Sequence, residues 1–177
     1  KFTKTIEAKK GTPSTINLEK SKVPIKSIKI NSKVDRTLTL NVNALKEKPT
    51  TLIKPTLSNK YKQVYQYLEI DLNLEKEEIE EVKVKFEIPS EYFTQNNLNP
   101  NHIILVTYEN GKWKELTTKI TSNTYVVEFE STLEHFSYFA IIVKEKRNPY
   151  LYLALSVGIL IFLILLIVII RKIKNRD

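Results

Sequence analysis

One stretch of the chain limits its fold more than any other. Residues 150–170 read YLYLALSVGILIFLILLIVII, 21 residues without a charge, an amide or a proline. Built as a helix at about 1.5 Å per residue, the run is about 31 Å long, against a bilayer hydrocarbon core of about 30 Å. Tyr150 and Tyr152 mark one end as an interface, and Arg171, Lys172, Lys174 and Arg176 mark the other. A helix buried in a water-soluble domain would need apolar neighbours on every face, which the rest of this chain does not supply. A single membrane span is therefore expected. It divides the chain into residues 1–143, a linker at 144–149, the span at 150–170 and a basic tail at 171–177.

Lys144, Lys146 and Arg147 precede the run and four basic residues follow it, a weak positive-inside bias. The chain contains no methionine and starts at Lys1. The expectation is a cleaved signal peptide, an exported domain and one stop-transfer helix, with a short cytoplasmic tail. A tail-anchored protein facing the cytosol is the competing reading. Cysteine is also absent, which removes disulfides, thiolate nucleophiles and Cys-based zinc sites. With two histidines in the chain, a His-rich metal site is excluded as well.

Residues 1–148 alternate with period two in segment after segment, the pattern of half-buried strands. Leu38, Leu40, Val42 and Ala44 point one way, and Thr37, Thr39, Asn41 and Asn43 the other. Val82, Val84, Phe86 and Ile88 repeat the pattern against Lys83, Lys85 and Glu87; Ile28 and Ile30 begin it earlier, and Tyr125, Val127 and Phe129 continue it later. Further strands are expected at 2–8, 65–72, 103–108 and 136–143. About nine strands with turn residues between them predict an all-β, Ig-like antiparallel sandwich.

The sharpest local signal is Asn110-Gly111, which supplies the two positive φ angles of a type I′ hairpin between 103–108 and 112–117. Trp113, the only tryptophan, follows that turn and is expected to cover one end of a core rather than to bind a ligand. Pro89-Ser90-Glu91 reads as a strand end followed by a short helical turn through Tyr92 and Phe93, and Asn99-Pro100 as a turn. The last strand, from Phe136 to Val143, is apolar on both faces, as expected of a central strand or of an edge docked on something. The linker after it is short enough to hold the sandwich against the bilayer headgroups.

Several function classes have little support. Five glutamates in residues 75–81 lack the Asp/Asn/Gly spacing of a calcium loop. His135 lies two residues from Ser137, but such neighbours on one strand form no triad and no carboxylate is placed to complete one; His102 is expected to be exposed. There is no glycine-rich phosphate loop and no Asn-x-Ser/Thr sequon. No catalytic residue, cofactor, metal, nucleic acid or small-molecule substrate is expected. Residues 1–62 carry 15 Lys/Arg and 4 Asp/Glu, and residues 63–148 carry 9 and 15. Either the first part offers a basic face to an acidic partner, or the two parts interleave and neutralise each other across strands; the second reading is favoured.

The order of four segments is informative. Val64 to Ile70 (VYQYLEI), Val82 to Ile88 (VKVKFEI), Leu105 to Thr118 (LVTYENGKWKELTT) and His135 to Ile141 (HFSYFAI) together resemble the archaeal PGF-pre-PGF domain over about residues 4–143. Its most specific parts are Tyr108, Gly111 and Trp113, and Phe136, Ser137, Tyr138 and Phe139. Where the family has Thr-Pro-Gly-Phe, this chain has Leu133-Glu134-His135-Phe136. The resemblance implies an archaeal cell-surface protein, S-layer-associated, with a membrane anchor after the domain and no catalytic residues. The expected partners are the lipid bilayer and a protein of the cell envelope. A rival reading is an accessory subunit of a membrane complex, for which Ala154 and Gly158 form one small-xxx-small pair. A sensor or solute-binding ectodomain is a third.

Overall fold

The structure is a computed structural model, and it describes residues 1–19, 21–50, 52 and 61–144. Those residues form an all-β domain of two antiparallel sheets packed as a sandwich. In chain order the strands are β1 (Phe2–Ala8), β2 (Ser14–Asn17), β3 (Ile25–Ser32), β4 (Arg36–Leu45), β5 (Tyr61–Leu72), β6 (Ile79–Pro89), β7 (Ile103–Glu109), β8 (Lys112–Glu115), β9 (Thr118–Asn123), β10 (Val126–Leu133) and β11 (Tyr138–Lys144). A short helix, α1 (Ser90–Gln95), joins β6 to β7. One sheet runs β1-β4-β5-β11-β7-β8 and the other β2-β3-β6-β10-β9.

Period-two patterning sends one face of each long strand inward. Leu38, Leu40 and Val42 of β4, Val82, Val84, Phe86 and Ile88 of β6, and Val127 and Phe129 of β10 are all buried in one inter-sheet core. Phe86 and Phe129 stand directly opposite across β6 and β10, with rings stacked at 5.1 Å and 14°. The final strand is central: β11 pairs with β5 on one side and β7 on the other. Its two apolar faces are thereby explained. Phe139, Ile141 and Val143 enter the inter-sheet core, while Ala140 and Ile142 join Val106 in a second cluster on the outer face of the six-stranded sheet.

The hairpin at Asn110-Gly111 forms as the dipeptide requires, with φ of 50° and 77° and Tyr108 opposite Trp113. Elsewhere the strands depart from the expected bounds. β2 and β9 have no alternating apolar signal: β2 buries Ile16 alone, and β9 is an edge strand exposed over most of its length. β8 stops at Glu115, because Leu116 N–H turns in to the Leu105 carbonyl. Tyr125 is not part of β10. It sits in the turn before it, 96% exposed, with its carbonyl accepting from Ser90 N–H. β11 starts at Tyr138 rather than Phe136, and His102 is half-buried at the end of a 3-10 turn.

The basic first part and the acidic second part do interleave. Lys26 of β3 reaches Glu128 of β10 at 2.6 Å, and that hydrogen bond raises the lysine pKa. Arg36 meets Glu78 at 2.8 Å, and Lys33 donates to the Glu77 carbonyl. Among the described residues no helix is long and apolar enough to cross a membrane. The expected span, with Tyr150, Tyr152, Ala154, Gly158, Arg171 and Lys172, lies outside the described residues, as do the linker beyond Lys144 and the tail.

Candidate functional site

The outer face of the six-stranded sheet divides into two halves of different chemistry. On β1, β4 and β5 it is polar. Thr3, Thr5 and Glu7 of β1 stand opposite Asn41, Thr39 and Thr37 of β4. Each pair is closed by a side-chain hydrogen bond, at 2.8, 3.3 and 2.7 Å respectively. The next column continues the pattern: Asn41 faces Asp71 and Asn43 faces Glu69 on β5, with the Asn43 amide donating to Glu69 Oε2 at 2.8 Å. Cross-strand pairs of this kind are each worth a few tenths to about 1 kcal/mol, and here they secure an edge strand.

On β5, β11, β7 and β8 the same face is aromatic and apolar. Val106, Ala140 and Ile142 are covered by Tyr67, Trp113 and their neighbours. Trp113 packs edge-on against Tyr108 at 5.3 Å and tilted against Tyr67 at 6.2 Å. Burial raises the Tyr67 pKa. The tryptophan thus covers apolar residues, but on the outer face of a sheet rather than at an end of the inter-sheet core. The physical reason is parity: Val106 faces outward, so Tyr108 two residues on does too, and the two-residue turn sets Trp113 opposite it.

Between the halves lies an open groove of about 350 Å³, lined by Lys1, Asn41, Asn43, Glu69, Asp71 and Tyr138 among others, so that a cation and two carboxylates share it. It brings together two segments singled out in the sequence. Ser137 donates its hydroxyl to the Tyr108 carbonyl at 2.9 Å, and Phe139 pairs with Thr107. Tyr138 stands opposite Glu69, so aromatic ring and carboxylate are cross-strand neighbours. Phe136 packs against the inter-sheet core, and Gly111 stays at the hairpin turn.

Two other places on the sandwich differ from this groove. A cavity of about 400 Å³ between α1 and the β9–β10 turn, lined by Ser90, Phe93, Asn97 and Val127 among others, has no titratable side chain. At His135 the structure does place the carboxylate that the sequence left out: Glu109 Oε1 is 3.8 Å from Nδ1, and Thr107 Oγ1 is 3.2 Å from Nε2. Thr107 is buried, 1% exposed. Glu109 also lies within 4 Å of Lys76 and Lys114, which makes it the centre of a surface charge network. The Glu75–Glu81 cluster is likewise engaged, since Glu78 takes Arg36 and the Glu75 N–H.

No protein-family model matches the chain, and no curated protein matches it.

Proposed function

We propose that this chain is a non-catalytic envelope protein of an archaeal cell, a membrane-anchored β-sandwich that attaches to or supports a surface layer or surface assembly through protein–protein contacts. The observation that carries the reading is the charge-free run at 150–170, separated by five residues from the end of a central strand of the sandwich. Its length suits a bilayer and its flanks are aromatic on one side and basic on the other. In this reading residues 1–143 are external and the tail is cytoplasmic.

The sandwich supports a role in contact rather than in chemistry. Several of its charged groups pair across strands, as Lys26 does with Glu128 and Lys85 with Glu130. The PGF-pre-PGF resemblance rests on Tyr108, Gly111 and Trp113 with Phe136, Ser137, Tyr138 and Phe139, and in the sandwich those two groups adjoin. An Ig-like arrangement fits the way hairpins β2–β3, β4–β5, β7–β8 and β9–β10 each stay in one sheet while the connections between them cross over.

Protease treatment of intact cells tests the reading. The expected result is loss of residues 1–143 with the basic tail protected and retained in the carbonate-washed membrane fraction. Protection of residues 1–143 in intact cells, or release of the chain by carbonate, would overturn it.

A further inference from the structure

We infer that the end of the sandwich at which β11 finishes is a binding surface for anionic lipid headgroups, with Tyr125 as its aromatic anchor. The inference rests on the membrane-attached reading above, and it names the face and the lipid chemistry that the reading leaves open.

Strand pairing decides which loops share that end. β11 finishes with Val143 opposite Ile103, the first residue of β7, and Lys144 opposite Tyr61, the first of β5. β7 is reached from the end of β6 through residues 90–102, and α1 in that connection packs on the start of β5. The Tyr92 and Tyr65 rings meet edge-on at 4.8 Å, and the Gln63 amide donates to the Tyr92 hydroxyl. In the other sheet Val126 stands opposite Pro89 and Ile25 opposite Phe86. The β9–β10 turn and the β2–β3 loop therefore come to the same end.

Tyr125 occupies that β9–β10 turn, 96% exposed. Its backbone is fixed, because its carbonyl accepts from Ser90 N–H and the Ser90 hydroxyl donates to the neighbouring Thr124 carbonyl. A ring held outside the fold in this way adds nothing to the packing of the sandwich. A phenol has an apolar body and a polar tip, which suits it to the boundary between headgroups and acyl chains.

Charge is the second, independent observation. In sequence the loops at this end, 18–24, 46–60, 90–102 and 124–125, carry six lysines and three glutamates, whereas those at the other end, 9–13, 33–35, 73–78, 110–111 and 134–137, carry four lysines and five Asp/Glu. The pairing differs in the same sense. Arg36, Lys76 and Lys114, toward the other end, are held by Glu78, Glu109 and Glu134. Lys22, Lys46 and Lys62 at this end are exposed and have no ion-pair partner among the described residues. Unneutralised lysines fit a negatively charged surface. Five residues after Lys144 the charge-free run begins, so in the membrane-attached reading the chain itself brings this end to a bilayer rather than to a soluble acidic polymer.

The test reconstitutes the full chain in lipid nanodiscs, one set purely zwitterionic and one with phosphatidylglycerol added, and reads lysine acylation by a water-soluble reagent with mass spectrometry. Acylation of Lys22, Lys46 and Lys62 should slow about threefold or more in the anionic discs, a factor in keeping with what one lysine gains near an anionic surface. Lys9 and Lys10, at the other end, should keep their rates. High salt should remove the difference. Tyr125→Ser should reduce it, and at so exposed a position that variant leaves the fold intact. Equal rates in the two kinds of disc overturn the inference, as does equal slowing of Lys9 and Lys10; retention of the chain in the discs then leaves membrane attachment standing. A chain that enters neither kind of disc overturns attachment and this inference together. Protection by added polyglutamate in zwitterionic discs, with none from anionic lipid, overturns it in favour of an acidic polymer.

Discussion

Ser137 ties β11 to both of its neighbours at once: its hydroxyl donates to the Tyr108 carbonyl at 2.9 Å, and its carbonyl accepts from Ile70 N–H at 3.0 Å. The residue stands just before β11 begins, so it sets how that central strand enters the sheet. Ser137→Ala removes the first bond. The expected loss is about 1 kcal/mol, read as a lower midpoint with an unchanged m-value in urea denaturation. A loss below about 0.3 kcal/mol would mean that water replaces the hydroxyl without cost.

Phe86 and Phe129 contribute a stacked pair at the centre of the core. Phe129→Ala should cost about 3–5 kcal/mol, because close-packed sheets on both sides prevent the cavity from collapsing. That is a large part of the stability of a domain this size. Phe129→Leu should recover most of it, and thermal or denaturant unfolding would measure both.

Gly111 has φ of 77° and nothing within 4 Å of where a Cβ would stand. Gly111→Ala is therefore a test of backbone conformation without steric contact. About 1–2 kcal/mol of destabilisation is expected, and less from Gly111→Asn, whose side chain tolerates the left-handed region. Equal losses from the two variants would argue that something other than φ is at stake.

Lys114 and Glu134 meet at 2.9 Å on the surface, and the hydrogen bond with the ammonium lowers the Glu134 pKa below the ordinary glutamate value. A lowered folded-state pKa means that the contribution is present above the unfolded value, about 4.3, and is lost as pH falls through the folded value. The effect is small because both side chains are solvated. Melting curves should show wild type losing slightly more midpoint than Glu134→Gln between about pH 5 and pH 3, with the difference shrinking in high salt.

Tyr65 and Tyr67 behave in the opposite sense. Burial raises both phenol pKa values, so their contribution is present below the ordinary value of about 10 and is lost as pH rises through the folded values. Absorbance titration of the folded protein should show a late-ionising component beyond about pH 10. Tyr67→Phe should reduce it. A titration in which all nine tyrosines ionise together would contradict the packing of Tyr67 against Trp113.

The strands β4 and β6 were legible because long runs alternate strictly, and the hairpin was legible because two positive φ angles leave little choice other than Asn-Gly. β9 was not, since an edge strand exposed on both faces carries no hydrophobic period. Tyr125 misled for a related reason: it extends the alternation of Val127 and Phe129 by parity, yet the chain has already turned there. Of the groove, Asn41 and Asn43 could be placed on an outward face from sequence. That Glu69, Asp71 and Tyr138 stand beside them could not, because strand order within a sheet depends on contacts far apart in the chain.

Local chemistry alone determined the all-β class, the I′ turn, the absence of disulfide staples and a 21-residue run long enough to cross a bilayer. Each follows from period, φ preference or composition within a short window. Tertiary structure decided that β11 lies between β5 and β7, that Trp113 covers an outer sheet face and that Ser137 touches Tyr108. Those outcomes depend on which strands pair, and pairing is selected by the burial of both sheets together rather than by any one segment.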